Sequence, residues 1–118
     1  MINQCAQNER CKKAYDSCLH ELLSVGKDNC YIYPHWNTQL KPWERLRYCN
    51  AWYIETYNFI ILQSYQTIVA VYDKKNNTFY SFQLFSYGIK TTTTSRQIRW
   101  FYNLISAKES VSNFFEYL

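Results

Sequence analysis

Apolar side chains recur at helical spacing near the start of the chain. Between Asn8 and Val25 they return every three or four positions, while most charged side chains point elsewhere. This spacing predicts a helix over that range. Gly26 follows directly, where a left-handed C-cap favours glycine. The apolar positions of the predicted helix are Cys11, Tyr15, Cys18, Leu19, Leu22 and Leu23.

The next segment shows no period. Residues 27–42 hold both prolines of the chain and predict a surface loop. Pro42 then predicts a short helix over residues 42–50, because proline lacks the N–H that the first helical position leaves unbonded. Residues 1–50 are therefore expected to form a helical and loop-rich N-terminal part.

Beyond residue 50 the pattern changes to alternation. Residues 51–57, 59–65, 67–73 and 78–85 are rich in β-branched and aromatic side chains, which favour strands. The last of them places Tyr80, Phe82 and Leu84 on one face. The connections are short, so neighbouring strands should be antiparallel. The pattern predicts a β-meander of three to four strands.

Two helical patterns follow the meander. Thr94 and Gln97 fit a capping box, and Ser106 with Glu109 fits a second one. The sequence thus predicts one α+β domain over residues 1–118, with an N-terminal helix, the meander, and two C-terminal helices packed on one face of the sheet. The predicted apolar positions are Ile98, Phe101, Tyr102 and Ile105 in the first C-terminal helix and Val111, Phe114, Phe115 and Leu118 in the second.

Size and cysteine content narrow the class of protein. A chain of 118 residues suits a single domain that needs neither metal nor disulfides for stability. Its five cysteines form no CxxC pair, and the N-terminus lacks the apolar core of a signal peptide. The longest apolar run, residues 59–62, is too short to cross a membrane. We therefore expect a cytoplasmic protein with reduced thiols and no membrane contact.

Positive charge is concentrated in the second half of the chain. The net charge is +4, and residues 74–108 contain six basic side chains and no acidic one. A local field of this sign attracts nucleic acid or an acidic protein surface. The sequence is also rich in aromatic residues, with twelve Tyr, seven Phe and four Trp.

Between about residues 60 and 105, several short motifs follow one another in a characteristic order. Their residues are Ser64, Tyr65, Thr67, Val69, Ala70, Tyr87, Thr93, Thr94, Ser95 and Arg96. This order resembles a short domain that recurs in bacteriophage and prophage genes. The family usually has His after the basic residue that opens its helix, whereas this sequence has Gln97. The resemblance implies a phage or mobile-element origin and a bacterial host cell, and it implies no particular activity. Small single-domain proteins from such genes often bind and block a host defence complex, as anti-CRISPR proteins do, and this context suggests the same role here.

The threonine-rich stretch before the first C-terminal helix has two interpretations. Capping alone explains it, with Thr94 accepting from a first-turn N–H. Alternatively, the helix N-terminus, the hydroxyls and nearby cations bind an anion or an acidic partner. The candidate residues of that site are Lys74, Lys75, Lys90, Thr93, Thr94, Ser95, Arg96 and Arg99.

The aromatic residues also have two interpretations. They fill a core that has few leucines, or some of them form an exposed contact surface for a protein or for bases. Strand alternation favours Tyr53, Tyr57 and Trp100 as the exposed candidates.

Catalytic and metal-binding patterns are weak. His20 and His35 with Cys18 and Cys30 match no zinc spacing, and acidic residues are scarce between positions 29 and 72. The sequence predicts no cofactor, no metal and no catalytic residue. The first hypothesis is a non-catalytic inhibitor of a host protein or ribonucleoprotein complex, in its sharpest form a CRISPR nuclease effector. The second is a small protein that binds RNA or single-stranded nucleic acid, and the third, a hydrolase, is the weakest.

Overall fold

In the described part of the chain, a six-stranded sheet carries a long helix on each face. The computed structural model describes residues 3–25, 44–46 and 50–118. The elements are α1 (Gln4–Val25), β1 (Glu44–Arg45), β2 (Ala51–Glu55), β3 (Phe59–Ser64), β4 (Thr67–Asp73), β5 (Thr78–Ser81), α2 (Gln83–Tyr87), α3 (Thr92–Ser106) and β6 (Asn113–Glu116).

The predicted N-terminal helix is confirmed, but it begins at Gln4, four residues before the predicted start at Asn8. Asn3 caps it: the Ala6 N–H donates to the Asn3 side-chain oxygen at 2.8 Å. The buried stripe follows the predicted spacing, except that Leu23 is 40% exposed. The predicted cap at Gly26 and the predicted loop over residues 27–42 lie outside the described residues. The fully or nearly buried side chains of α1 are Cys11, Ala14, Cys18 and Leu22.

The meander is confirmed and extended. The strands lie in the order β1-β2-β3-β4-β5-β6, and each neighbouring pair is antiparallel except β5 with β6. The predicted helix over residues 42–50 is wrong at its described centre, because Glu44 and Arg45 pair as a strand with Tyr53 and Trp52. Pairing with β2 satisfies backbone groups that β2 would otherwise leave unbonded at its edge.

The fourth predicted strand is too long. It ends at Ser81, and the chain turns into the short helix α2 at Gln83. The Ser86 N–H and Oγ both donate to the Phe82 carbonyl, which stabilises this turn. Gly88 ends α2 with φ +82°, a left-handed conformation that glycine adopts without strain. Leu84 therefore does not share a strand face with Tyr80.

Helix α3 is confirmed, with a different cap. Its first-turn acceptor is Thr91, whose side chain accepts from the Thr94 N–H at 3.1 Å, so the predicted box from Thr94 to Gln97 is wrong. The predicted apolar stripe is confirmed, because Ile98, Phe101 and Ile105 are buried.

The predicted final helix is wrong, because its residues form β6. Ser106 is the last residue of α3 rather than a new cap. The Tyr117 N–H donates to the Ser81 carbonyl at 2.8 Å, and Phe114 stacks on Phe79 with ring centroids 5.3 Å apart. Aromatic residues favour strands, and the open edge of β5 offers them backbone partners. The segment β5–α3–β6 is a βαβ unit.

Helices cover both faces of the sheet, which corrects the prediction that the helices share one face. Strand β3 is buried along its whole length, and its first four side chains, residues 59–62, are apolar towards both faces of the sheet. Helix α1 packs with Ile61 and Val71 on one face, and α3 packs with Leu62 and Val69 on the other. The result is a three-layer α+β domain. In the described part of the chain, no helix is long and apolar enough to cross a membrane.

Candidate docking surface at the α3–β6 edge

The predicted basic residues do not lie in one place. Lys74 lies beyond the end of β4, where its N–H donates to the Asn58 carbonyl, and Lys75 follows it. The start of α3 lies at the opposite end of the sheet, beside Ser64. These two ends are separated by the seven residues of β4, about 20 Å.

Two of the predicted cations are paired with carboxylates that are distant in sequence. Lys74 Nζ donates to Glu55 Oε2 and to the Thr56 carbonyl, both at 2.8 Å, and its side chain is 24% exposed. Lys90 Nζ donates to Glu116 Oε2 at 2.8 Å. Both lysines therefore contribute to contacts within the fold.

The hydroxyls at the start of α3 are divided between the interior and the surface. Thr94 is buried, whereas Thr93 is exposed. Ser95 accepts from the Gln83 side-chain nitrogen at 2.8 Å, and the Thr91 N–H donates to the other end of the same amide at 3.2 Å. Gln83 thus joins α2 to the first turn of α3.

Arg96 and Arg99 differ from the paired lysines. They lie three residues apart on α3, which places them on neighbouring parts of its solvent face. Both side chains are exposed, and neither side chain makes a hydrogen bond or ion pair with another residue of the described chain. They are the predicted cations on α3 that a partner can reach.

The predicted aromatic contacts have three different surroundings. The Tyr53 hydroxyl donates to Glu44 Oε2 at 2.9 Å, and burial together with this hydrogen bond raises the pKa of Tyr53 to about 12. Trp100 is half-buried. Of these three predicted residues, Tyr57 alone is largely exposed, at 87%.

A groove lies between α3 and the β5–β6 edge. Its volume is about 220 Å³. Phe114 forms part of its wall and is 48% exposed, although it stacks on Phe79 and meets Tyr102 edge-on at 5.4 Å. The groove therefore presents an aromatic wall beside the Arg99 guanidinium, which is unpaired among the described residues. Its lining residues are Ser81, Gln83, Ser95, Ile98, Arg99, Tyr102, Phe114 and Glu116.

The outer edge of β6, the side that faces away from β5, is capped by side chains of α1. The Glu116 N–H donates to Gln7 Oε1 at 3.1 Å, and the Leu118 N–H donates to Asn8 Oδ1 at 2.9 Å. The backbone N–H and C=O groups of successive residues point to opposite edges of a strand, so those of Phe114 also face the outer edge. Phe114 receives no such cap from the described residues of α1. Among those residues, no further strand pairs with this edge.

The buried thiols are held in their neutral form. Burial raises the pKa of both Cys11 and Cys18 to about 12, with smaller contributions from nearby carboxylates. A nucleophilic cysteine requires the thiolate, which these two lack at neutral pH. Within residues 3–25, 44–46 and 50–118, no cluster of three His, Cys, Asp or Glu side chains is arranged to hold a metal ion.

The sequence missed the residues of β6 and the caps from α1. Helical spacing of four apolar positions in residues 111–118 concealed a short run of aromatics that also fits a strand. Gln7 and Asn8 carry no local signal, because their partners lie 109 and 110 residues away. Comparisons of the chain with protein families, with characterised proteins and with solved structures find no match.

Proposed function

We propose that this protein is a phage-encoded, non-catalytic inhibitor that binds a host defence complex in the bacterial cytoplasm, as anti-CRISPR proteins do. The observation that carries the proposal is the surface formed by the α3–β6 groove and the outer edge of β6. There an exposed aromatic side chain, Phe114, lies beside the exposed Arg99. The phage origin rests on the resemblance between about residues 60 and 105.

The composition of this surface favours a protein partner. Arginine and aromatic residues carry a large share of the binding energy in protein interfaces when they lie together in a cleft. Phe114 is already held by Phe79 and Tyr102, so its binding costs little conformational entropy. Arg99 adds a cation that an acidic protein surface can pair with.

Binding to RNA is the competing function, and the exposed Arg96 and Arg99 favour it. A protein that tracks a nucleic-acid backbone neutralises several phosphates with cations along one path. Here Lys74 and Lys90 are occupied by Glu55 and Glu116, which leaves few cations beside the two arginines. A protein interface with a small charged component fits this distribution better.

The proposal is tested by infection and by capture. Cells with an active CRISPR nuclease directed against a phage are made to express the wild-type protein, R99E/F114S or the matched surface variant K108E. We expect restored plaque formation with the wild type and K108E and its loss with R99E/F114S. Capture from the same cells should retain the nuclease complex after RNase and DNase treatment. Retention that disappears with nuclease treatment supports RNA binding instead, and absence of plaques with all three proteins overturns the proposal.

A further inference from the structure

The outer edge of β6 has the features of a site where a strand can be added. An exposed strand edge presents N–H and C=O groups that an extended peptide can pair with. Here the outward groups belong to Phe114, Glu116 and Leu118, and α1 supplies only two side-chain amides to them. The carbonyl oxygens of such an edge need donors as well. No strand of the described chain provides them.

The caps from Gln7 and Asn8 are replaceable. Each provides one hydrogen bond to a backbone N–H near the surface, where water competes for the same group, so the net contribution of each bond is small. A paired strand supplies the same bonds and adds those to the carbonyls. The two amides therefore protect the edge in the unbound protein without closing it.

Cations flank this edge on both faces of the sheet. Arg99 lies on the α3 face, where it lines the groove together with Phe114. On the α1 face the Arg10 guanidinium lies over the Phe115 ring, 5.1 Å from its centroid. The carboxylate of β6, Glu116, is paired with Lys90. A strand added here projects successive side chains alternately towards Arg99 and towards Arg10.

We propose that the outer edge of β6 binds an extended, acidic segment of a partner protein, which displaces the Gln7 and Asn8 amides and pairs as a seventh strand. Charge complementarity selects this occupant, since the edge carries a cation on each face. A second copy of this chain fits less well, because its net charge of +4 opposes association. The inference rests on the proposed function and specifies the chemistry of the partner.

Fluorescence anisotropy with synthetic peptides tests the pairing. The probe is a labelled peptide of about eight residues, a typical strand length, built of Thr and Val around two adjacent Glu. Two control peptides separate charge pairing from strand pairing. The first has Lys in place of Glu, and the second is N-methylated on alternate residues, which removes the N–H donors that would face β6. We expect the acidic peptide to bind and both controls to bind at least about tenfold more weakly, since each loses charge pairing or strand pairing.

Protein variants locate the site. R99E should weaken binding of the acidic peptide about tenfold. K108E makes the same change of charge beside β1 and β2, at the opposite edge of the sheet, and should leave binding of the peptide unchanged. Q7A/N8A should bind more tightly, since no amide competes for the N–H groups. A thermal melt of each variant establishes that it is folded. The inference is overturned if the N-methylated peptide binds as tightly as the acidic peptide, or if K108E weakens binding of the acidic peptide as much as R99E does.

The two proposals can fail separately. If the nuclease complex is captured and inhibited but the acidic peptide does not bind, the β6 edge is not the site and the proposed function stands. If the acidic peptide binds with the expected controls while no host complex is inhibited, the edge accepts a strand and the proposed function is wrong.

Discussion

The Ser64 hydroxyl donates a 2.6 Å hydrogen bond to the side-chain oxygen of Gln97, and both residues are buried. The bond joins the end of β3 to the second turn of α3. It fixes the start of α3, and with it the exposed Arg96 and Arg99, against the sheet. Gln97, which the sequence places in a capping box, instead anchors the helix from its buried side.

Breaking this pair on one side should destabilise the protein. Ser64→Ala leaves the Gln97 amide buried with one partner fewer, which costs about 1–3 kcal/mol in the free energy of unfolding. The double variant Ser64→Ala/Gln97→Leu removes both polar groups and should recover part of that loss. Urea unfolding of the two variants and the wild type measures the effect. Equal stability of Ser64→Ala and the wild type would contradict the assigned contact.

The cap of α3 can be distinguished from its neighbours by single substitutions. Thr91→Ala removes the acceptor of the Thr94 N–H and should lower the free energy of unfolding by about 1 kcal/mol. Thr93→Ala is the matched control, since Thr93 is exposed and makes no cap; its effect should stay within about 0.5 kcal/mol. A larger loss with Thr93→Ala than with Thr91→Ala would show that the cap is misassigned.

Lys74 and Lys75 should differ although they are adjacent. Lys74→Met loses a partly shielded ion pair and a bond to the Thr56 carbonyl, which we expect to cost about 1 kcal/mol. Lys75→Met should be nearly neutral, because that side chain is exposed. Thermal unfolding of the two variants checks this. If both lysines act only at a binding surface, the two melting temperatures will coincide with that of the wild type.

Alkaline pH should destabilise the fold through its buried thiols. The pKa of Cys11 and of Cys18 is about 12 in the folded protein, above the value of about 9 in an exposed chain. Between these values the unfolded state has lost protons that the folded state keeps, so stability falls as the pH rises, by up to about 1.4 kcal/mol per pH unit for each thiol. Urea unfolding between pH 8 and pH 11 measures the slope.

The matched variant for this prediction is Cys11→Ala/Cys18→Ala. It should be less stable at neutral pH, because it leaves small cavities beneath α1. Its stability should nevertheless depend less on pH in the alkaline range. Identical slopes for the variant and the wild type would assign the alkaline loss to other groups, such as Tyr53, whose pKa is also raised.

Local patterns predicted the elements that carry their own signal. The stripe of Ile98, Phe101 and Ile105 identifies α3, and alternation with short turns identifies β2 to β5. They did not distinguish the β6 segment from a helix, since aromatic residues at positions 114 and 115 fit either period. What selected the strand is the open edge of β5, which exists only in the folded molecule.

Only part of the candidate site could be predicted, because local patterns detect exposure on a helix but not contacts between distant residues. Arg96 and Arg99 follow from their exposure on a helix whose other face is apolar. The pairing of Lys90 with Glu116 spans 26 residues, and that of Lys74 with Glu55 spans 19. Charge counted along the chain cannot detect such neutralisation, because the carboxylates approach only through tertiary contacts.

The parallel pairing of β6 also bears on synthesis at the ribosome. Helix α1 is synthesised before the strands, but the backbone groups that Gln7 and Asn8 bind belong to residues 116 and 118. Until those residues have left the exit tunnel, β5 is the last strand of the nascent sheet and its Phe79 ring lacks the stacking partner. During this interval the edge of β5 is open to pairing with a wrong strand, and a chaperone that shields β5 would prevent that pairing.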